Sequence, residues 1–226
     1  MNSNQDPLSE LTIVIPAKNE AKLIPRLLNS LVSQDYSRMQ NTKVLVADAG
    51  STDETAEVVM RFRDRLQVCI IPGGTPSVGR NAGAARATTP YILFLDADIE
   101  LASDTLIRRS MEAVRKYDLH CVTTDILCRD GSLMDRLFYL VNDMFQYLSC
   151  IHHPFSTGMF MLFHKERFVA LGGFNEKIRR GTTNRRPQKM GHFGMAWRFL
   201  TTALNSWNQG FFLRSQILAG VMFIRS

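Results

Sequence analysis

The chain is sparing with cysteine: four in 226 residues, at positions 69, 121, 128 and 150, none forming a C-x-x-C pair. Such usage fits neither a disulfide framework nor a zinc module built on paired cysteines. Cys69 and Cys121 lie in apolar, strand-like runs and are expected to be reduced core thiols of a cytoplasmic protein. Long apolar runs are also missing. None reaches the ~20 residues that a membrane-spanning helix requires, and the nearest, FFLRSQILAGVMFIRS, is interrupted by Arg214. The polar opening MNSNQDPLSE reads as a disordered tail over residues 1–10, neither a secretory signal nor an anchor. There is no internal repeat and no low-complexity segment. No G-x-G-x-x-G follows the first strand-like run, which argues against a dinucleotide-dependent dehydrogenase. A Gly- and Lys/Arg-rich loop is absent there too, leaving a nucleotidyltransferase without support.

Charge is unevenly spread. The net charge is +6, and Lys165, Arg167, Lys177, Arg179, Arg180, Arg185, Arg186 and Lys189 crowd one segment against Glu166 and Glu176. An excess of this sign attracts nucleotides, phosphates or acidic lipid headgroups, unless the segment is simply solvated surface. No nucleic-acid partner is expected.

With 45% hydrophobic and 21% charged residues, the chain can bury the core of one globular domain. LTIVIP (11–16), KVLVAD (43–48), QVCII (67–71), YILFL (91–95), HCVTTDIL (120–127) and TGMFMLFH (157–164) read as strands. Helical patterns separate the first four. NEAKLIPRLLNSLVSQ repeats Leu23, Leu27, Leu28 and Leu31, and TDETAEVVMRFRDRL carries a Val58, Val59, Phe62, Leu66 stripe with Thr52 as cap. VGRNAGAARA (78–87) is a helix of small residues, and SDTLIRRSMEAVRKY (103–117) opens with Ser103 and Asp104. LMDRLFYLVNDMFQYLSCI has apolar residues at 133, 134, 137, 138, 141, 144, 145 and 148, an amphipathic helix expected to pack on the core or act as a lid rather than lie on a membrane. The apolar C-terminal run has two open readings. It is an interfacial helix dipping Phe211, Phe212, Leu218 and Met222 into a membrane, or a terminal helix packed on the core.

This alternation implies an α/β fold with a mostly parallel central sheet flanked by helices. In such folds ligands bind beyond the carboxyl ends of the strands. Three runs end in polar clusters there, PAKNEA, DAGSTDE and DADIE, which are expected to converge on one crevice.

Asp96 and Asp98 stand at the end of an apolar strand with only Ala97 between them. Neighbouring carboxylates disfavour each other's ionisation, so a positive group is expected beside them. A divalent cation suits, because magnesium and manganese take one or two carboxylates plus substrate phosphates. Alternatively the pair caps the following turn. Asp48 can accept from a nucleobase N–H or a ribose hydroxyl, or serve a strand-to-helix turn with Thr52 or Asp53. Glu20 has the same ambiguity. Arg80 can bridge phosphate oxygens, or be an ordinary surface arginine.

The order VIPAKNEA, VLVADAGSTDET, GRNAGAARAT, YILFLDADIE, followed by ALGGFNE, closely resembles family 2 glycosyltransferases over roughly residues 10–178. The resemblance implies the GT-A fold, a Rossmann-like nucleotide-binding architecture. It also implies transfer of a sugar from a nucleotide diphosphate sugar to an acceptor hydroxyl, usually with inversion, the acceptor being a saccharide or lipid-linked. Pro16, Glu20 and Asp48 would hold the nucleoside and Arg80 would touch the base or diphosphate. Asp96 and Asp98 would hold the diphosphate through Mg2+ or Mn2+, Asp96 also reaching the ribose. Residues 11–178 would form the nucleotide-sugar-binding and acceptor core. Residues 179–226 would form a basic loop and C-terminal helices, open to contact with the inner face of a membrane.

The chain departs from that pattern at one point. Where the family carries its Glu-Asp pair, whose acid is the catalytic base, this sequence has Thr182 and Thr183, and Pro187 interrupts the helix expected there. Neither threonine can take a proton near neutral pH. The base is therefore missing or displaced: Glu176 is a weak substitute, and His192 is more simply structural. The His152–His153 pair reads as a loop. A non-catalytic nucleotide-sugar-binding or scaffolding protein of the same fold is the alternative.

Overall fold

The computed structural model describes residues 9–124 and 159–177, the helical positions 137, 140, 141, 144 and 145, and the backbone of residues 224–225. The basic loop beyond Lys177, Thr182, Thr183, Pro187, His192, the His152–His153 pair, Cys128, Cys150 and most of the apolar C-terminal run lie outside the described residues.

The strands are β1 (Leu11–Ala17), β2 (Lys43–Asp48), β3 (Gln67–Pro72), β4 (Tyr91–Leu95), β5 (Glu100–Leu101), β6 (Cys121–Thr123), β7 (Phe160–His164) and β8 (Ile224–Arg225). Six of them form one sheet in the order β3-β2-β1-β4-β7-β6. β1, β2, β3 and β4 run parallel, and β7 runs antiparallel to both β4 and β6. The short β5 pairs separately with β8.

Alternation along the strands divides the interior into two cores, because successive side chains point to opposite faces of a sheet. Ile13, Ile15, Val44, Val46, Leu93 and Leu95 face α1 (Ile24–Val32), α2 (Thr55–Met60) and α4 (Leu106–Lys116). Val14, Leu45, Ala47, Ile92 and Phe94 face α3 (Pro76–Arg86) and α5 (Lys165–Ala170). Both faces of β1 are covered, so its apolar run is continuous rather than alternating. The strand order reverses direction at β1, with β2 and β3 on one side and β4 on the other. A topological switch point of this kind opens a crevice at the carboxyl end.

α3 packs unusually close to the sheet. A Cβ on Gly83 would lie 2.3 Å from a methyl of Val14. Thr75 caps the helix through the Val78 N–H, with Pro76 in the first turn, where its missing N–H costs nothing.

Several local expectations need correction. Leu23 precedes α1 and is exposed; Ile24 takes the buried position with Leu27, Leu28 and Leu31. Thr52 does not cap α2, since its N–H is turned to the Asn19 side chain and Asp53 receives the Thr55 N–H instead. Ser103 and Asp104 lie in a turn before α4, which starts at Leu106. Cys69 is not in the core: it is exposed on β3, an edge strand. Of the apolar stripe, Leu137, Val141, Met144 and Phe145 are exposed, so the amphipathic helix does not bury these four in the core. Ser9 and Glu10 are anchored, Ser9 to Thr42 and Glu10 to Arg38 and Arg115.

Among the described residues, no helix is long and apolar enough to cross a membrane.

Candidate active site

The residues singled out from the sequence gather at the carboxyl edge of the parallel strands. Register brings this about: Ala17 pairs with Asp48 across β1 and β2, and Val14 pairs with Phe94 across β1 and β4. Pro16 is half-buried near the end of β1 and packs beside Gly79, which a Cβ would bring to 3.4 Å from it. Asp48 ends β2.

The loops after β1 and β2 lock together. Asn19 adopts a left-handed backbone (φ 57°), a conformation asparagine tolerates. Its N–H donates to Ser51 Oγ at 2.9 Å, and its side-chain oxygen accepts from the Thr52 N–H at 2.8 Å. The Glu20 N–H donates to Thr55 Oγ1 at 2.9 Å and the Ala21 N–H to Asp53 at 3.1 Å. Gly50, also left-handed (φ 73°), folds the second loop back so that the Ser51 N–H and hydroxyl both donate to Asp48.

Glu20 feels the other acids of the strand ends. Burial, followed by the negative charges of Asp98, Asp53 and Asp96, pushes its carboxyl from 4.5 up to about 7. Glu20 therefore senses both acids of the D-x-D and the loop after β2. Asp53 itself is held below its ordinary value, chiefly by the Thr55 hydroxyl and then by backbone N–H groups.

A positive group does stand beside Asp96, and it is Arg80. Its guanidinium reaches over from α3 to a carboxylate oxygen of Asp96. Arg80 is also 5.4 Å from the centroid of the Phe174 ring, a cation–π contact. Asp98 is exposed two residues further on.

Among the described residues, no three His, Cys, Asp or Glu side chains group closely enough to hold a metal by themselves.

Glu176 lies in the turn after α5, where it accepts from Asn81 Nδ2 at 2.8 Å. Asn81 also exchanges hydrogen bonds with the Phe174 backbone at 2.8 and 2.9 Å. Asn19, Ser51, Thr55, Asn81 and Phe174 received no role from the sequence, although all of them lie inside the quoted motifs. A cavity of about 740 Å³ opens elsewhere, beside α1, between Arg26, Asn29, Glu100 and Asp104. Glu20, Asp48, Asp96 and Asp98 are not among its lining residues.

The model of the "Glycosyl transferase family 2" family matches residues 12–172, well over half of the chain. The chain belongs to this family. Poly(ribitol-phosphate) beta-N-acetylglucosaminyltransferase TarS of Staphylococcus aureus is 31% identical over 103 residues, covering 44% of this chain and 18% of that protein. Validoxylamine A glucosyltransferase of Streptomyces hygroscopicus is 37% identical over 93 residues, 39% of this chain and 22% of that one. The chain thus spans about a fifth of the length of these family 2 relatives. Among solved structures, S. aureus TarS 1–349 with UDP superposes with a TM-score of 0.60 at 18% identity, over 76% of this chain and 52% of that one. The mannosyltransferase PcManGT of Pyrobaculum calidifontis, in complex with GDP-Man and Mn2+, superposes with a TM-score of 0.56 at 21% identity, over 74% and 48%. The likeness establishes the GT-A glycosyltransferase fold for this family member.

Proposed function

We propose that this chain transfers a sugar from a nucleotide diphosphate sugar to an acceptor hydroxyl. The gathering of Asp48 at the end of β2 and of the Arg80–Asp96 ion pair just beyond β4, at the switch point of the sheet, is the observation that carries the reading. Pro16, Glu20 and Asp48 would receive the nucleoside, and Asp96 its ribose. Asp98 would hold a divalent cation, Asp96 assisting. Arg80 would fix Asp96 and face the diphosphate. The structures of relatives with UDP, UDP-GlcNAc, and GDP-Man with Mn2+ support this choice of ligand. When bound, the cation offsets the charge that builds on the departing diphosphate.

Glu176 is the displaced base in this reading. Its carboxylate takes the acceptor's hydroxyl proton as that oxygen bonds to the anomeric carbon. The bond from that carbon to the diphosphate breaks, and its electron pair leaves with the nucleoside diphosphate. The proton passes from Glu176 to solvent.

A second reading rests on Thr182 and Thr183 standing where the family has its acid pair. The chain would then bind donor without turning it over. A sensitive assay for released nucleoside diphosphate, with UDP-GlcNAc or GDP-mannose and Mn2+, separates the two. Release that Glu176→Gln abolishes supports transfer; binding of UDP or GDP with no release supports the second reading; binding of neither sinks both.

A further inference from the structure

Consecutive residues of α3 tie together the segments that follow β4 and α5. Arg80 meets Asp96 at the donor side. Asn81 is turned to the segment after α5, more than 90 positions along the chain. Its amide reproduces a backbone pair: the Phe174 N–H donates to Oδ1 at 2.9 Å, and Nδ2 donates to the Phe174 carbonyl at 2.8 Å. Nδ2 donates again to Glu176 Oε1 at 2.8 Å. This set fixes which side-chain atom is oxygen and which is nitrogen, since one partner is a donor and the other two are acceptors.

The turn is shaped to receive that amide. Gly172 and Gly173 are both left-handed (φ 84° and 69°). A Cβ on Gly173 would sit 2.9 Å from Asn81 Oδ1, so a larger residue would wedge the clamp open. On the other side the Phe174 ring packs edge-on against Phe94 with centroids 5.2 Å apart, and against Phe168 at 5.2 Å. Phe174 is thus held by its backbone, by the ring cluster and by Arg80.

We propose that Asn81 is a positioning residue for Glu176: it fixes the carboxylate of the acceptor side at a set place relative to the Arg80–Asp96 pair of the donor side. The inference rests on Glu176 acting as base. Nδ2 engages Oε1, and in this reading the other oxygen takes the acceptor proton. Asn81 touches no substrate; it acts through Glu176. Because Arg80 and Asn81 are joined by one peptide bond, donor and acceptor groups share a rigid mount. A misplacement of about 1 Å at such a group costs on the order of 10²-fold in rate.

The test measures donor hydrolysis to nucleoside diphosphate, water standing in for the acceptor, with UDP-GlcNAc and GDP-mannose and Mn2+. Asn81→Ala and Asn81→Asp should each lower kcat by about 10²-fold while the Kd for UDP or GDP changes less than about threefold. The aspartate keeps the acceptor for Phe174 but sets a like charge against Glu176. In a Glu176→Gln background Asn81→Ala should cost nothing further, because residues acting as one unit are not additive. Should Asn81→Ala fail to fold, Asn81→Ser carries the test: it can meet the Phe174 N–H but not span to Glu176. Unchanged kcat, a loss confined to donor affinity, or a loss that multiplies with that of Glu176→Gln overturns the inference and leaves the transferase reading standing. No release by the native chain that still binds nucleotide overturns it together with turnover, and absence of binding removes the donor crevice itself.

Discussion

Arg80 on α3 and Asp96 just after β4 form an ion pair across the end of the sheet, with only 12% and 23% of their side chains exposed. Removing one member of a sheltered pair leaves the other charge uncompensated, which costs more than the intact pair contributes. Arg80→Ala and Asp96→Ala should each destabilise the fold by about 1–3 kcal/mol. The double variant should lose less than their sum, with a coupling of about 1 kcal/mol or more in denaturant titrations. Additive losses would show that the two side chains do not support each other.

Asp98 should make nucleotide binding depend on the cation. Calorimetry with UDP or GDP is expected to show the native chain binding tenfold or more tighter with Mn2+ than with EDTA, a difference of about 1.4 kcal/mol or more. Asp98→Ala should bind equally in both. Cation-independent binding by the native chain would remove Asp98 from that role.

Glu20 should give the metal-free protein a pH-dependent stability. Its folded-state value of about 7 lies above its ordinary 4.5, so between these values the folded chain keeps a proton that the unfolded chain releases. The stabilising contribution is complete below the lower value and is lost as the pH rises through the upper one. Glu20→Gln should therefore match the native chain near pH 4 and exceed it near pH 8, by about 1–2 kcal/mol once solvent screening is allowed for. Thermal melts across that range in EDTA provide the check; parallel curves for the two proteins would contradict it.

Gly83→Ala should strain the contact between α3 and β1, since its methyl would enter the space of the Val14 side chain. A cost of about 1–3 kcal/mol is expected. Val14→Ala added to it should recover part of that loss, which distinguishes a clash from a change in helix propensity. If alanine at 83 is neutral or stabilising, the close approach does not hold in solution.

Thr183→Asp places an acid where the resemblance to family 2 expects the catalytic one. If the native chain is slow for want of a well-placed base, release of nucleoside diphosphate should rise by about 10²-fold or more. An unchanged rate would mean that Glu176 already supplies the base, or that the defect lies elsewhere; Glu176→Gln in the same background tells these apart.

Much of the framework was legible because the physics is local. β2 runs from Lys43 to Asp48 as its apolar run indicated, and β4 covers the same five residues as YILFL. Helix starts were less legible. Asp53 and Thr55 compete with Thr52 through bonds to Glu20 and Ala21, partners more than 30 positions away. Cys69 looked like core from its neighbours, but exposure depends on β3 being an edge strand, which no short window contains.

By itself, the sequence determined that three apolar strands would end in acid-bearing clusters on one edge, since composition and period act along the chain. It also determined the family, because four motifs fall in register. Only tertiary structure decided that the cation beside Asp96 is Arg80, that Glu20 shares the field of Asp98, and that Asn81 grips Phe174 and Glu176. Those relations depend on distances through space between segments far apart in the chain, and both Coulomb forces and hydrogen bonds are set by that separation alone.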